Sequence, residues 1–378
     1  MRGLNDMSKA RLHSLVLLVF AVAACGGEES GVSLAGAAPF VVIPSSSTST
    51  TTSAPAPAPA PVTSSTSSLL PFIDVNRIPA PEVGYSTARI MPVEPGWEAP
   101  TQNTDGTGQF RITCTFSHMA FNDPIVYPGK QGAAHLHTFF GNTAIDHNST
   151  QQSIETSGNS TCTGGTANRT GYWVPAVIDT KDGTPLKPSK IMVYYKTSFL
   201  PNSNVKPFPA GLRMIAGDMK ASAPQEHIYW ECRKDGESGP RTSTIPTNCP
   251  VGYLVEATIS FPYCWDGTNL DSPDHKSHMS YEVQLQSAPF TKMCPASHPV
   301  ELPVISEMVR YVVAEEGSSA RWRLSSDNYG TDKLGGYSLH ADWFNGWDAK
   351  VQDIWIKNCL QAKKDCHAFL LGDGTALF

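Results

Sequence analysis

The chain has 378 residues, with 28 Lys and Arg against 34 Asp and Glu, for a formal net charge of −6. Only 16% of residues are charged and no basic run stands out, which argues against nucleic acid as a partner. Thirty glycines and 30 prolines suggest a loop-rich, mainly β chain.

The N-terminal stretch "MSKARLHSLVLLVFAVAAC" has a basic start (Lys9, Arg11) and an apolar run from Leu15 to Val22. It then ends on small residues and Cys25, the pattern of a secretory signal too short for a stable membrane span. The "VAAC" ending resembles a bacterial lipobox. Residues 1–24 therefore read as a lipoprotein signal peptide and Cys25 as the lipidated residue, which makes the membrane a partner through that lipid. The alternative is a plainly cleaved signal with Cys25 incidental. Both readings give an exported protein, and the first anchors it to the cell membrane, facing outside.

Residues 25–74 form a tether, with "PSSSTSTTTSAPAPAPAPVTSSTSS" at 44–68. Lacking apolar bulk, this stretch cannot bury enough surface to offset its ordering entropy, and its Ala-Pro repeats favour extended chain. From residue 75 to Phe378 there is no second linker and no internal repeat, so a single globular domain is expected.

The folded part is expected to be a β-sandwich or jelly-roll-like core with long disulfide-tied loops and one or two peripheral helices. Strands are predicted over 190–197, 253–262, 281–286, 310–316 and 321–327, rich in Val, Ile, Tyr and Thr between Pro, Gly, Asn and Asp. The last two, joined through Gly317, form a candidate hairpin. A helix is predicted over 348–362, with Val351, Trp355, Cys359 and Leu360 on one face and Asp348 as N-cap. Long loops are expected at 141–172 and 263–280. Setting Cys25 aside, eight cysteines remain, an even number that suits up to four disulfides in an exported chain. Cys359 and Cys366 form the most plausible local pair. No Cys-x-x-Cys spacing supports a zinc-thiolate site.

No nucleophile elbow, phosphate-cradling loop, zincin helix or dinucleotide fingerprint is present. What remains is clustered histidine and aspartate. His135 and His137, in "GKQGAAHLHTFFGN", would share one strand face because side chains alternate with period two. "CWDGTNLDSPDHKSH" (264–278) gathers Asp266, Asp271, Asp274, His275 and His278, and "SLHADWFNGWD" (338–348) repeats the same-face spacing with His340 and Asp342. Imidazole with carboxylate suits a divalent Zn, Mn, Fe or Ni ion, or metal-free acid/base chemistry. Candidate ligands are His135, His137, His278, His340 and Asp342; candidate catalytic groups are His135, His137, His275, Asp274 and Asp266. Trp343 and Trp347 are candidate sugar-stacking surfaces, although such rings are more often core. Arg213 and Lys130 are candidate cleft cations. The sequons at Asn148, Asn159 and Asn168 suggest surface positions.

The blocks "CTFSHMAFNDPIVYPGKQGAAHLHTFFGNT", "NRTGYWVPAV", "PFPAGLRMIAGD", "FPYCWDGTNLDSPDHKSHMSY", "CPASHPVELP" and "HADWFNGWD" together resemble the domain of unknown function family nineteen-ninety-six, over nearly all of residues 105–378. The resemblance implies an extracellular domain of actinobacterial and fungal proteins, in fungi sometimes beside carbohydrate-binding modules, without an established activity. The resulting expectation is a tethered protein acting on a polysaccharide or cell-wall glycan as a hydrolase or lyase. A non-catalytic glycan-binding or envelope-structural module, and a metal scavenger, are the alternatives.

Overall fold

The structure is a computed structural model of the chain and describes residues 69–198, 204–284 and 292–378. All of them fall in one compact unit, Ser65–Phe378. The signal peptide, Cys25 and most of the tether lie outside the described residues.

Alternation of apolar and polar residues makes the strands. Lys190–Lys196 buries Ile191, Val193 and Tyr195 and leaves the intervening residues half-buried. Such a strand covers a core with one face. It sits inside an eight-stranded sheet ordered Arg241–Thr242, Ile228–Arg233, Leu254–Ser260, Val304–Val312, Lys190–Lys196, Gln109–Cys114, Lys364–Asp365 and Thr101–Gln102. A second, antiparallel sheet has five strands in the order Arg213–Gly217, His340–Phe344, Gly171–Pro175, His137–Gly141 and Phe116–Ala120. One hydrophobic cluster joins Ile191, Val193, Ile259 and Val309 of the first sheet to Val174, Met214, Ala341 and Trp343 of the second. The fold is thus a β-sandwich, as the sequence pattern suggests. The outer face of the five-stranded sheet is covered by a smaller cluster of Ile125, Phe139, Ile145, Ile154, Trp173 and Phe344.

Four disulfides join Cys114–Cys162, Cys232–Cys249, Cys264–Cys294 and Cys359–Cys366. The first pins the 141–172 connection, which also carries a short helix, Gln151–Thr156, closed by a Thr150–Ser153 capping box. Asp348 caps the predicted C-terminal helix, accepting from the Lys350 and Val351 amides. The helix runs as α over Ala349–Trp355 and widens to π over Ile356–Gln361.

The hairpin through Gly317 does not form. Val304–Val312 is an interior strand paired on one side with Leu254–Ser260 and on the other with Lys190–Lys196, which leaves it no free edge. Trp322–Leu324 pairs instead with Val177–Asp179, and Gly317, at φ 66°, starts a 3-10 turn. Of the predicted strand 281–286, only Val283–Gln284 is a strand within the described residues, paired with Lys292–Met293. The sequon residue Asn168 is fully buried, bonding the Tyr172 hydroxyl and capping the Thr170 amide, so its sequence context did not signal exposure.

Candidate metal centre

Strand register brings the chemistry together. His137 lies opposite Pro175, and Asp342 lies opposite Trp173 two residues along the same central strand. Continuing that register brings His340 level with Pro175, so His137 and His340 flank the proline ring on the outer face of the sheet. Asp342 points to the same face one step along, by the two-residue period. The row is the last of the sheet, and His135 reaches in from the segment just before its strand. Ring centroids are 4.2 Å apart for His135 and His137, 5.0 Å for His135 and His340, and 5.6 Å for His137 and His340.

Two backbone carbonyls decide the tautomers. His137 Nδ1 lies 3.0 Å from the Asn122 carbonyl oxygen and His340 Nδ1 lies 2.9 Å from that of Ser338. A carbonyl only accepts, so each Nδ1 carries the hydrogen and donates it. Burial pushes the His137 imidazole down to about 3 and His340 to about 4, so both rings are neutral at neutral pH. Each Nε2 therefore carries a lone pair, and the two Nε2 atoms face each other at 3.4 Å. Two acceptors in that position repel unless a cation sits between them. A tetrahedral site with metal–nitrogen bonds of about 2.1 Å has ligand–ligand edges of about 3.4 Å. The buried His135 Nε2 also lacks a hydrogen-bond partner, and its imidazole too is held well below the usual range by burial.

Carboxylates complete the cluster. Asp342 is fully buried and neither oxygen has a hydrogen-bond partner. Burial first, and then the nearby Asp123 and Glu307, raise its carboxyl well above the usual range. Asp123 comes from the loop after Phe116–Ala120, where its Oδ1 accepts from the Ile125 and Val126 amides, 2.8 Å each. Potential ligand atoms of His135, His137 and His340 lie within 4.8 Å of one another, as do those of Asp123, His137 and Asp342. Either group suits a divalent cation, and they share His137. Asp123 was not singled out from the sequence. A single Asp before Pro in "FNDPIV" reads as a turn former, and only the fold brings it over the histidines.

Other sequence candidates stand elsewhere. His278 has both ring nitrogens engaged, by Ser272 Oγ at 2.9 Å and the Arg213 carbonyl at 2.7 Å, so it has no free ligand atom. His275 is held by Asp271 at 3.0 Å, in a backbone conformation with φ 59°, and does not enter the cluster. Asp266 and Asp274 are loop caps: Asp266 accepts from the Thr268 and Asn269 amides, and Asp274 from those of Lys276 and Ser277. The acidic loop does reach the neighbourhood, because Lys276 donates to the Gly217 carbonyl and its charge is felt by His340 and Asp342. Arg213 pairs with Asp271 at 3.4 Å and lies over Phe344, while Lys130 sits on an exposed turn.

Trp343 and Trp347 offer no sugar platform. Trp343 alternates to the inner face of its strand and packs on Phe208 at 4.7 Å. Trp347 is buried with its Nε1 donating to the Tyr195 hydroxyl.

A cavity of about 570 Å³ opens off the end of the five-stranded sheet, with His135 in its wall beside Phe121, Leu136, Met219 and Lys220. The fold and the site define a disulfide-tied β-sandwich with a His/Asp cluster that could hold a divalent metal. Among the described residues no helix is long and apolar enough to cross a membrane. The family model described as "Domain of unknown function (DUF1996)" matches residues 123–347, so the chain belongs to that family. The matched segment contains Asp123, His135, His137, His340 and Asp342. No curated protein and no solved structure matches the chain.

Proposed function

We propose that the protein is an exported metalloprotein whose His135, His137 and His340 imidazoles hold one divalent cation with Asp342 or Asp123, and that it acts on an extracellular polysaccharide as a hydrolase or lyase. The observation that carries this reading is the pair of unprotonated Nε2 atoms facing each other at 3.4 Å, beside a buried carboxylate with no partner. Mixed imidazole and carboxylate donors suit Zn, Mn, Fe or Ni. A cation held there supplies Lewis acidity and an activated water. The Asn122 and Ser338 carbonyls orient the imidazoles, as backing groups do behind metal-ligating histidines. Whichever of Asp123 and Asp342 is not a ligand stands ready as a proton donor, because burial raises both carboxyls above the ordinary range.

Export rests on the signal-like N-terminus and on four disulfides, which persist in oxidising compartments. In this reading lipid on Cys25 and the tether of residues 25–74 hold the 75–378 domain at the membrane surface.

Elemental analysis of purified protein tests the centre. One equivalent of metal is expected in the wild type, with loss in His135→Ala and His340→Ala. Wild-type protein that stays metal-free after dialysis against each of the four ions refutes it. New reducing ends or unsaturated products from a wall polysaccharide, abolished by chelator, test the catalytic half.

A further inference from the structure

The cavity beside His135 has a chemical character of its own. It lies off the end of the five-stranded sheet, where Met219 and Lys220 follow one strand, Phe121 follows another, and His135 and Leu136 precede a third. Its walls are chiefly apolar, with Ile73, Phe121, Ala133 and Met219 offering surface and Leu136 buried behind Ile73 and Phe121. The polar groups on the wall are mostly engaged already. Ser325 Oγ donates to the Leu136 carbonyl at 2.6 Å, and Ser326 Oγ bonds Ser338 Oγ at 2.7 Å. Among the described lining residues, the polar side-chain groups without a partner are the exposed Lys220 ammonium and Asn328 amide, and the buried His135 Nε2 on the metal-centre side.

No acidic residue is among the described residues lining the cavity. Asp218, two residues before Lys220, accepts from the Lys220 backbone amide at 2.8 Å, and Asp327, between Ser326 and Asn328, is buried and accepts from the Leu324 and Gly336 amides. An ammonium without an ion-pair partner at an apolar cleft favours an anion, since no carboxylate is among the described lining residues and the low-dielectric wall strengthens the attraction. A neutral glycan would need hydroxyl-binding carboxylates or amides along the wall, and this wall is mostly hydrocarbon.

We propose that the cleft takes a ligand presenting a carboxylate beside an apolar face, with the carboxylate at Lys220, the apolar face on Phe121 and Met219, and another oxygen directed at the His135 end. Two sources share that chemistry: a uronate residue of an acidic polysaccharide, with its carbon–hydrogen face on Phe121, and a small aryl- or alkyl-carboxylic acid. The volume of about 570 Å³ holds either a short oligosaccharide end or a drug-sized acid. The assignment rests on the metal-centre reading only for the placement of the second oxygen.

Calorimetric titration of chelator-stripped protein isolates the contribution of Lys220 from any carboxylate–metal bond. The probes are trigalacturonate against cellotriose and 4-phenylbutyrate against 4-phenylbutanol. At least one acid is expected to bind about fivefold or more tightly than its neutral partner, an effect typical of one partly desolvated charge pair. Lys220→Met, an exposed change that leaves the core untouched, is expected to erase the preference. Preference for trigalacturonate assigns the glycan source, and preference for 4-phenylbutyrate the small acid. Equal binding of both members of both pairs overturns the proposal, as does an acid preference that survives in Lys220→Met. Elemental analysis of the unstripped sample reports the metal reading separately, so the two can fail independently.

Discussion

The opposed imidazoles give a stability prediction that needs no substrate. Without a cation, His137 and His340 hold two lone pairs at 3.4 Å and Asp342 stays buried without a partner, so the stripped protein carries an unrelieved cost. A cation that binds only the folded chain adds RT ln(1 + [L]/Kd), about 2.7 kcal/mol at a hundredfold excess over Kd. For a unit the size of Ser65–Phe378 each kcal/mol moves Tm by about 2 °C, so loading should raise Tm by about 5 °C. In His340→Ala one ligand and its lone pair vanish together. The shift on loading should fall below about 1 °C. In stripped protein the same substitution should cost less than the 2–5 kcal/mol typical of emptying a buried site, because it also removes the repulsion. Differential scanning calorimetry with intact disulfides, in chelator and in each of Zn, Mn, Fe and Ni, reads all four states. The reasoning is refuted if loaded and stripped wild type melt together, or if His340→Ala keeps the wild-type shift.

Glu307 should make stability pH-dependent. It sits between the sheets with neither oxygen partnered, and burial raises its carboxyl well above the ordinary 4.5. Its proton is held more tightly in the fold, so its favourable contribution is complete below pH 4.5 and declines as pH rises toward the folded value. Glu307→Gln should therefore match wild type near pH 4 and surpass it increasingly up to pH 8 in urea midpoints; a constant difference would contradict this. Replacing Cys114 and Cys162 with Ala reopens a 48-residue separation and should lower stability by about 4 kcal/mol on loop-entropy grounds, measured by denaturant unfolding. Asp327 is buried and accepts from the Leu324 and Gly336 amides and the Ser338 hydroxyl, fixing the loop whose Ser338 carbonyl holds His340. Asp327→Asn should weaken metal affinity about 10–100-fold in chelator competition, as loss of a backing group does.

Period-two patterning placed the strands around 190–196 and 254–260 and put His340 and Asp342 on one face. The same alternation, carried one residue past Asp342, sends Trp343 into the core with Ala341, so its burial was legible from the rule that located the ligands. The Val304–Val312 strand was misjoined to the segment after it because its partners lie far away in the chain and no local signal names them. Of the histidine segments, 135–137 and 340 meet, while His275 and His278 turn to partners within their own loop and the neighbouring strand. That outcome depends on a 2.7 Å bond to the Arg213 carbonyl that no residue pattern announces. Asp123 was hidden for the opposite reason, since its turn-capping role is the ordinary one for an Asp-Pro pair.

Pro175 bonds no cation, yet it stands on the strand between His137 and His340 and in register with both, and a pyrrolidine ring is rigid and lacks a backbone N–H. The spacing of the two strands that carry those imidazoles therefore runs through a strand whose residue at that level takes no part in coordination. A change there that shifts either flanking strand would shift the imidazoles with it, even with the Asn122 and Ser338 carbonyls still holding both rings. Ion preference in this site can accordingly drift through a single non-ligand position while every donor atom stays the same, which gives both evolution and the protein engineer a dial separate from the ligands themselves.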